Sequence, residues 1–207
     1  MSLSPEREGR ITASIFASAI GIGYDSRQKL WRQLTGREQK FEGNDATQWG
    51  NDNEHHAISE YELVTGNIVM TCGDDQAFHI HPEHDWLGCT PDGFAEVRVD
   101  CLSYQQIVIE VKCPASLNLY DGVPAHYMPQ VQGQMAITGK QMAHFICWTP
   151  DDFSVQEVWF HPEYWNQCLE LLTEFYQCIL TDTEPKRKRK PVLPVVEVVE
   201  IAGSLAF

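Results

Sequence analysis

Two short stretches combine carboxylates with a lysine at positions that could hold a metal ion. In the stretch GCTPDGF, Asp92 lies in a Pro-Asp-Gly turn, and in the stretch EVKCP, Glu110 and Lys112 flank Val111 at the end of an apolar run. Carboxylates are hard oxygen ligands that suit Mg²⁺ or Mn²⁺, which also bind substrate phosphates. A lysine beside such an ion can hold or polarise a water molecule. These residue types therefore indicate metal-assisted hydrolysis.

The local pattern predicts how these side chains are oriented. The run from Gln106 to Val111 indicates a buried strand. Because side chains alternate along a strand, Glu110 and Lys112 should share one face, and Ile109 and Val111 the other. In a meander, the turn at Asp92 can lie beside the next strand, which would bring the two carboxylates and the lysine together. The alternatives are an edge strand with both charges in water and an ordinary turn at Asp92.

The wider pattern predicts the elements that must position these residues. Residues 10–66 indicate helices, including one from a cap at Asp25 to Gly36 and one that ends at Gly66. Residues 67–112 change to β-branched and aromatic runs, which predict a meander of about four strands. Further elements are a helix over 124–139, strands over 142–149 and 155–161, and a helix over 162–180. The apolar tail could form an edge strand, a swapped strand or a docking segment.

Composition narrows the class of protein. The chain has 207 residues, of which 43% are hydrophobic, and this suits one globular domain over residues 1–181 followed by a basic linker and an apolar tail over 182–207. No run is long enough to span a membrane and no secretory signal is present, so we expect a cytoplasmic protein with reduced cysteines. The histidines and cysteines match no zinc or iron–sulfur spacing.

The charge distribution is uneven. The formal net charge of −14 argues against a simple nucleic-acid-coating protein, since such proteins are usually basic. Residues 7–40 and 185–190 carry most of the lysines and arginines, and the acidic body between them keeps Arg98, Lys112 and Lys140. If this chain handles a polyanion, it needs a local basic patch or bound metal.

Four blocks of the sequence together resemble the lambda-exonuclease and YqaJ-type family of viral recombinases. They are REGRITAS at 7–14, WGNDNEHHAISEYELVTG at 49–66, LGCTPDGF with IEVKCP within 87–114, and YMPQVQGQMAITG at 127–139. The resemblance implies an α/β fold with a mixed sheet: the restriction-endonuclease-like PD-(D/E)xK core, with N-terminal and flanking helices. In this division the N-terminal helices occupy 10–66 and the catalytic core 67–181.

The resemblance also implies roles for the central residues. Asp92 matches the family's metal-bridging aspartate, Glu110 its second metal carboxylate, and the Val111 carbonyl a further ligand. Lys112 matches the lysine that positions and helps deprotonate the attacking water. Glu54 matches a helical glutamate that supports a second metal or its waters, and Gln130 matches a glutamine bordering the site.

A second group of residues matches the part of the family that binds the DNA end. Arg7 aligns with an arginine that grips the 5′-phosphate, and Ser14 and Thr90 align with hydroxyl donors to the same phosphate. An arginine with two hydroxyls suits a terminal dianion. Arg7 and Ser14 also have ordinary explanations, Arg7 as a residue near the terminus and Ser14 as a local helix hydroxyl.

The resemblance implies a Mg²⁺-dependent 5′-to-3′ exonuclease with two ions per site, for which Mn²⁺ substitutes. It would degrade one strand of linear double-stranded DNA to mononucleotides and leave 3′ overhangs for single-strand annealing. The implied partners are DNA ends, an annealing recombinase and two further copies in a ring-shaped homotrimer, encoded by a phage or prophage. The alternatives are an endonuclease of the same superfamily and a non-catalytic DNA-end-binding module.

Overall fold

The computed structural model describes residues 5–39, 42–71, 78–98 and 102–203. Cys72, Cys101 and the ends of several predicted strands and of the tail lie outside these ranges. Five α-helices are described: α1 (Phe16–Ile20), α2 (Arg27–Leu34), α3 (Asp45–Thr65), α4 (Met128–Thr138) and α5 (Pro162–Leu180). The described strands are β1 (Ile11–Thr12), β2 (Val69–Met70), β3 (His79–Ile80), β4 (Leu87–Cys89), β5 (Gly93–Arg98), β6 (Tyr104–Lys112), β7 (Met142–Thr149), β8 (Asp152–Trp159) and β9 (Val198–Gly203).

The strands form two sheets, and the larger one carries the Glu110 strand near its centre. Its order is β2-β5-β6-β7-β8-β9. The β6–β7 pair is parallel and the other pairs are antiparallel. The smaller sheet has the order β1-β4-β3, with β1 parallel to β4. The predicted α/β class with a mixed sheet is therefore correct.

Helices cover both faces of the larger sheet and create a core on each side. One core joins α1, α2, α4 and α5 to the face that carries Val108, and the other joins α3 to the face that carries Ile107, Ile109 and Val111. The alternation continues to the end of β6, so Glu110 and Lys112 lie on the Val108 face, toward α4. The predicted division of this strand into two faces is correct.

The N-terminal segment differs from its prediction. The stretch 11–21 was expected to be helical, but Ile11 and Thr12 form β1, a short 3-10 turn follows, and α1 covers five residues. The cause is tertiary, since the Ile11 N–H donates to the Trp86 carbonyl at 2.9 Å. A pairing partner 75 positions away overrides the local helical pattern.

Two smaller expectations also change. The cap of α2 is Ser26, whose hydroxyl accepts the Lys29 N–H, whereas Asp25 forms an ion pair with the Lys29 ammonium at 2.8 Å. The predicted meander is split between the two sheets, because the chain leaves β4 for the other sheet at the Pro91–Asp92 turn. This split is what places Asp92 at a junction between sheets.

The C-terminal tail forms the edge strand of the larger sheet, which decides among its three alternatives. β9 pairs antiparallel with β8, with a register irregularity at Val155 and Gln156. Before it, the linker is tied to the body by ion pairs, including Arg37–Asp182 at 2.7 Å. No described helix has the length and hydropathy to cross a membrane. The cysteines within the described ranges are free thiols.

Candidate active site

Glu110 is the centre of a hydrogen-bonded cluster at the end of β6. Its side chain is 1% exposed, and its Oε1 accepts from the Lys112 ammonium. Two amides from α4 complete the set, with Gln130 Nε2 2.5 Å from Oε1 and Gln134 Nε2 2.6 Å from Oε2. Gln130 and Gln134 are four residues apart, so they share one face of the helix. A buried carboxylate with three donors is held in one orientation and keeps lone pairs for a cation.

Asp92 is fixed against the same strand. Its Oδ2 accepts the Val111 N–H at 2.6 Å, and its own N–H donates to the Ile109 carbonyl at 3.2 Å. Pairing of β5 with β6 ends at the Gly93–Ile109 pair, so Val111 lies beyond it. The N–H and C=O of a strand residue point to the same neighbour, and the Val111 carbonyl is therefore directed to the side that Asp92 occupies.

Glu54 approaches the cluster from the other face of the sheet. The first half of α3 passes the end of β6, where a Cβ on Gly50 would lie 3.9 Å from the Cys113 carbonyl. Glu54 follows one turn later. Burial and then repulsion from Glu110 raise the pKa of Glu54, and attraction to Lys112 offsets part of this increase.

The electrostatics of the cluster favour a divalent cation. Burial, followed by repulsion from Glu110, raises the pKa of Asp92 well above its usual range. Burial alone would lower the pKa of Lys112, but its attraction to Glu110, Asp92 and Glu54 raises the pKa above the ordinary value. If all three carboxylates were ionised beside the one ammonium, two negative charges would be uncompensated. One bound Mg²⁺ would neutralise them.

The donor set fits Mg²⁺ better than a metal that needs an all-protein cage. Within the described ranges, no three His, Cys, Asp or Glu side chains already converge on one point at ligand distance. Mg²⁺ binds through one or two carboxylates and takes its other ligands from waters and substrate phosphates. Asp92 and Glu110, with the Val111 carbonyl, supply the oxygen ligands that such an ion requires. Glu54 is close enough to interact electrostatically with Glu110 and Lys112.

The predicted phosphate-binding residues lie around the small sheet. Arg7 Nη2 donates to Thr90 Oγ1 at 2.6 Å, across 83 positions of sequence, and its guanidinium lies 5.7 Å from the centre of the Phe78 ring. Thr90 precedes Asp92 by two residues. Ser14 is exposed, and its hydroxyl is 3.2 Å from that of Thr12 rather than in contact with Arg7. The structure thus joins Arg7 to Thr90 and places Ser14 in the 3-10 turn that follows β1.

Sequence reasoning did not assign a role to Gln134. It is completely buried, and its amide donates one hydrogen bond to the Glu110 carboxylate, as the Gln130 amide does. The available signal was its spacing, since a second glutamine four residues after Gln130 must project toward the same strand. Tyr127, one turn before Gln130, also belongs to the site, with its ring centre 5.2 Å from the Lys112 ammonium.

Comparison with known proteins agrees with this architecture. The model of one protein family, described as a YqaJ-like viral recombinase domain, matches residues 4–141. No curated protein matches the chain. Among solved structures, the fold is similar to an alkaline exonuclease, LHK-Exo, from Laribacter hongkongensis, with 24% identity, a TM-score of 0.67 and coverage of 85% of this chain and 90% of that one.

Two further structures have the same fold. LHK-Exo in complex with dAMP gives 23% identity and a TM-score of 0.69, with the same coverage of 85% and 90%. A phage-related exonuclease from Haemophilus somnus gives 14% identity and a TM-score of 0.58, covering 84% of this chain and 96% of that one. The matched family segment includes Arg7, Glu54, Asp92, the Glu110–Lys112 pair and Gln130, and so contains the whole candidate site.

Proposed function

Because the chain belongs to the YqaJ-like viral recombinase domain family, we propose that it is a Mg²⁺-dependent exonuclease that degrades one strand of linear double-stranded DNA from the 5′ end. The observation that carries this proposal is the cluster of Asp92, Glu110 and Lys112 at the end of β6, in which Asp92 Oδ2 accepts the Val111 N–H and Glu110 accepts from the Lys112 ammonium. A binding module has no need of two carboxylates and a lysine gathered at one strand end. The names of the similar structures, an alkaline exonuclease and a phage-related exonuclease, support the same chemistry.

The residues of the chain divide the work of phosphodiester hydrolysis. Asp92, Glu110 and the Val111 carbonyl would hold a first Mg²⁺, and Glu54 would support a second. Bound ions of this kind stabilise the charge that develops on the attacking and leaving oxygens. Lys112, kept protonated by the carboxylates around it, donates to a water and orients it toward the phosphorus. Gln130 and Gln134 hold Glu110 in place throughout.

Arg7 and Thr90 supply the proposed preference for a 5′ end. The guanidinium and the hydroxyl are already in contact, and Thr90 is two residues from Asp92. A terminal phosphate carries nearly two negative charges, and an arginine with a neighbouring hydroxyl binds such a group through charge-assisted hydrogen bonds. Binding the terminal phosphate at this point would draw the next phosphodiester toward the carboxylates. The product would be a mononucleotide, the class of molecule to which dAMP, bound by LHK-Exo, belongs.

One cleavage experiment separates this proposal from its alternatives. The substrates are 5′-phosphorylated linear duplex, unphosphorylated linear duplex and closed circular DNA, each with Mg²⁺, Mn²⁺ or EDTA. Metal-dependent loss of the linear DNA, fastest with the 5′-phosphate, is the expected result. Nicking of the circle would indicate an endonuclease, and absence of cleavage by the native protein would indicate a binding module.

Matched variants assign the chemistry to the cluster. Asp92→Asn and Lys112→Met should each reduce cleavage by at least a thousandfold while the circular dichroism spectrum stays native. Lys140→Met is the control, because Lys140 is also a lysine beside an aromatic ring, 5.8 Å from the centre of Phe94, but it lies outside the cluster. Full Mg²⁺-dependent activity in Asp92→Asn would disprove the assignment.

The remaining expectations from the family concern assembly. We propose that the chain forms a ring-shaped homotrimer around the duplex and acts with a single-strand annealing recombinase that coats the 3′ overhang. An acidic body supports this arrangement, since it would not adhere to the DNA that passes through the ring. Sedimentation equilibrium tests the trimer, and a monomer at micromolar concentration with full processive activity would contradict it.

A further inference from the structure

Tyr24 is an aromatic side chain that is both exposed and fixed in place. It is 81% exposed. Its hydroxyl is nevertheless 2.9 Å from His126 Nε2, and the two ring centres are 4.6 Å apart with an interplanar angle of 60°. A tyrosine without a task at the surface has no need of a ring partner and a hydrogen bond on the same neighbour. His126 thus contacts the Tyr24 ring at a tilt, and most of the ring is open to solvent.

A continuous row of rings connects Tyr24 to the candidate active site. The ring centre of His126 is 4.2 Å from that of Tyr127, and the Tyr127 ring centre is 5.2 Å from the Lys112 ammonium. Burial, and then the charge of Lys112, lower the pKa of His126, so its imidazole is neutral at neutral pH. The row is therefore uncharged from Tyr127 outward. It lies beside the acidic cluster without adding to its charge.

The loop that carries Tyr24 is tightly held. The Ala17 carbonyl accepts the N–H groups of Gly21, Ile22 and Gly23 at 3.0, 2.8 and 2.9 Å. A Cβ on Gly23 would lie 2.3 Å from the Ser18 hydroxyl oxygen, so the loop packs directly on the preceding helix and only glycine fits there. The chain then enters α2 through the Ser26 cap. The backbone that carries Tyr24 is therefore held in place, and the hydrogen bond to His126 directs its ring.

We propose that Tyr24, backed by His126, is a stacking platform for an unpaired nucleobase of the DNA strand that enters the active site. This inference rests on the proposed function, which brings a DNA end to Lys112. Among the parts of a nucleotide, the base is the one that suits this surface, because it is flat and uncharged whereas the phosphate would be repelled by the acidic body. Every base has a π face, so the platform would accept any sequence, as an enzyme that digests whole strands requires.

The platform predicts a specific kinetic effect. Stacking on Tyr24 exists equally in the bound ground state and in the transition state, so its loss should raise KM and leave kcat nearly unchanged. Tyr24→Leu should raise KM about tenfold, from the usual strength of base–aromatic stacking. Tyr24→Phe keeps the ring and loses the hydroxyl, so its KM should stay within about threefold of the native value. Tyr104→Leu is the control, because Tyr104 is 66% exposed but lies at the opposite end of β6 from Glu110.

Two measurements test the stacking itself. The first uses a Lys112→Met background, which we expect not to cleave, and duplexes with 2-aminopurine at one of the first four nucleotides of the 5′ strand. Binding should change the fluorescence at one of these positions, and adding Tyr24→Leu should abolish that change. The second uses native protein and a duplex with an abasic site at that position. The abasic site should raise KM as Tyr24→Leu does, and combining the two should have no further effect.

The outcomes distinguish this inference from the proposed function. If the native protein cleaves DNA but Tyr24→Leu leaves both KM and the 2-aminopurine signal unchanged, the platform is disproved and the nuclease stands. If Tyr24→Phe loses as much as Tyr24→Leu, the hydroxyl matters rather than the ring, and stacking is disproved. If native protein cleaves nothing, the proposed function fails, and the fluorescence experiment still decides whether a base meets Tyr24.

Discussion

Replacing Gln134 with leucine should weaken Mg²⁺ binding while leaving catalysis at saturating Mg²⁺ close to normal. Gln134 Nε2 donates to Glu110 Oε2 at 2.6 Å, and this is a contact that orients a proposed metal ligand without touching the substrate. A hydrogen bond to a charged group contributes about 1.5–3 kcal/mol. Loss of a group that orients a ligand lowers metal affinity about 10- to 100-fold. Since each factor of ten is about 1.4 kcal/mol, the two estimates agree.

The same helix supplies a matched control in Gln132. It is as fully buried as Gln134, but its amide contacts the backbone of the β8–α5 connection, donating to the Trp159 carbonyl at 2.9 Å and accepting the His161 N–H at 2.8 Å. Gln132→Leu should therefore lower the free energy of unfolding by about 1–3 kcal/mol. Gln134→Leu should cost less stability, because Gln134 has one side-chain hydrogen bond to lose and its buried Oε1 has no partner within the described part of the chain.

The assay is the initial rate of digestion as a function of Mg²⁺ concentration, with urea unfolding of each variant in parallel. Gln134→Leu should shift the half-saturating Mg²⁺ concentration upward about 10- to 100-fold, and Gln132→Leu should leave it unchanged. If Gln134→Leu shows the native Mg²⁺ dependence, or if both variants shift it equally, then Gln134 does not orient a metal ligand and the reasoning is refuted.

Three further predictions follow from other contacts. Thr90→Val removes the hydroxyl that accepts from Arg7. It should lower the rate preference for 5′-phosphorylated over unphosphorylated ends about fivefold, because one hydrogen bond contributes about 1 kcal/mol. An unchanged preference in competition digests would argue against a phosphate site at Thr90. His144 is buried, and burial lowers its pKa to about 4. Between about pH 6.5 and 4 the unfolded chain therefore binds a proton at His144 that the folded chain does not bind. The free energy of unfolding should fall by up to about 3 kcal/mol as the pH drops through that window. Urea unfolding at several pH values should show a shallower fall in His144→Gln than in the native protein, and equal slopes would contradict the assignment. Gly133→Ala would place a Cβ 2.5 Å from the Phe16 ring. This overpacking should lower the free energy of unfolding by about 1–3 kcal/mol, despite the better helix propensity of alanine. An unchanged melting temperature would contradict this prediction and show that α4 can shift to accommodate the methyl group.

The parts of the fold that followed from the sequence were those specified by short-range pattern. Alternation placed Glu110 and Lys112 on one face of β6. Proline and glycine marked the ends of the last two long helices, with Pro129 in the first turn of α4, Gly139 after it, and Pro162 at the start of α5. In each case the signal and its physical cause lie within a few residues of each other, so no knowledge of the tertiary structure was needed.

The parts that did not follow depend on distant partners. Ile11 and Thr12 form a strand only because β4 offers them an edge, and a local pattern of small and apolar residues cannot indicate that edge. Asp25 and Ser26 are both good capping residues, and the choice of Ser26 depends on where the chain enters α2. Recognising Gln134 required knowing that α4 packs against the end of β6.

The composition of the cluster explains how a strongly acidic body can collect further negative charge at one point. Glu110 is held by two neutral amides and one lysine rather than by several cations. An amide donor fixes the direction of a carboxylate without cancelling its charge, whereas an arginine at position 130 or 134 would satisfy the carboxylate and remove the attraction for Mg²⁺. The scarcity of lysine and arginine across 43–184 is then consistent with the proposed chemistry, because the field at Asp92 and Glu110 is left for the metal to neutralise. The same reasoning accounts for an uncharged row of rings beside Lys112, since a base can be held there without altering that field.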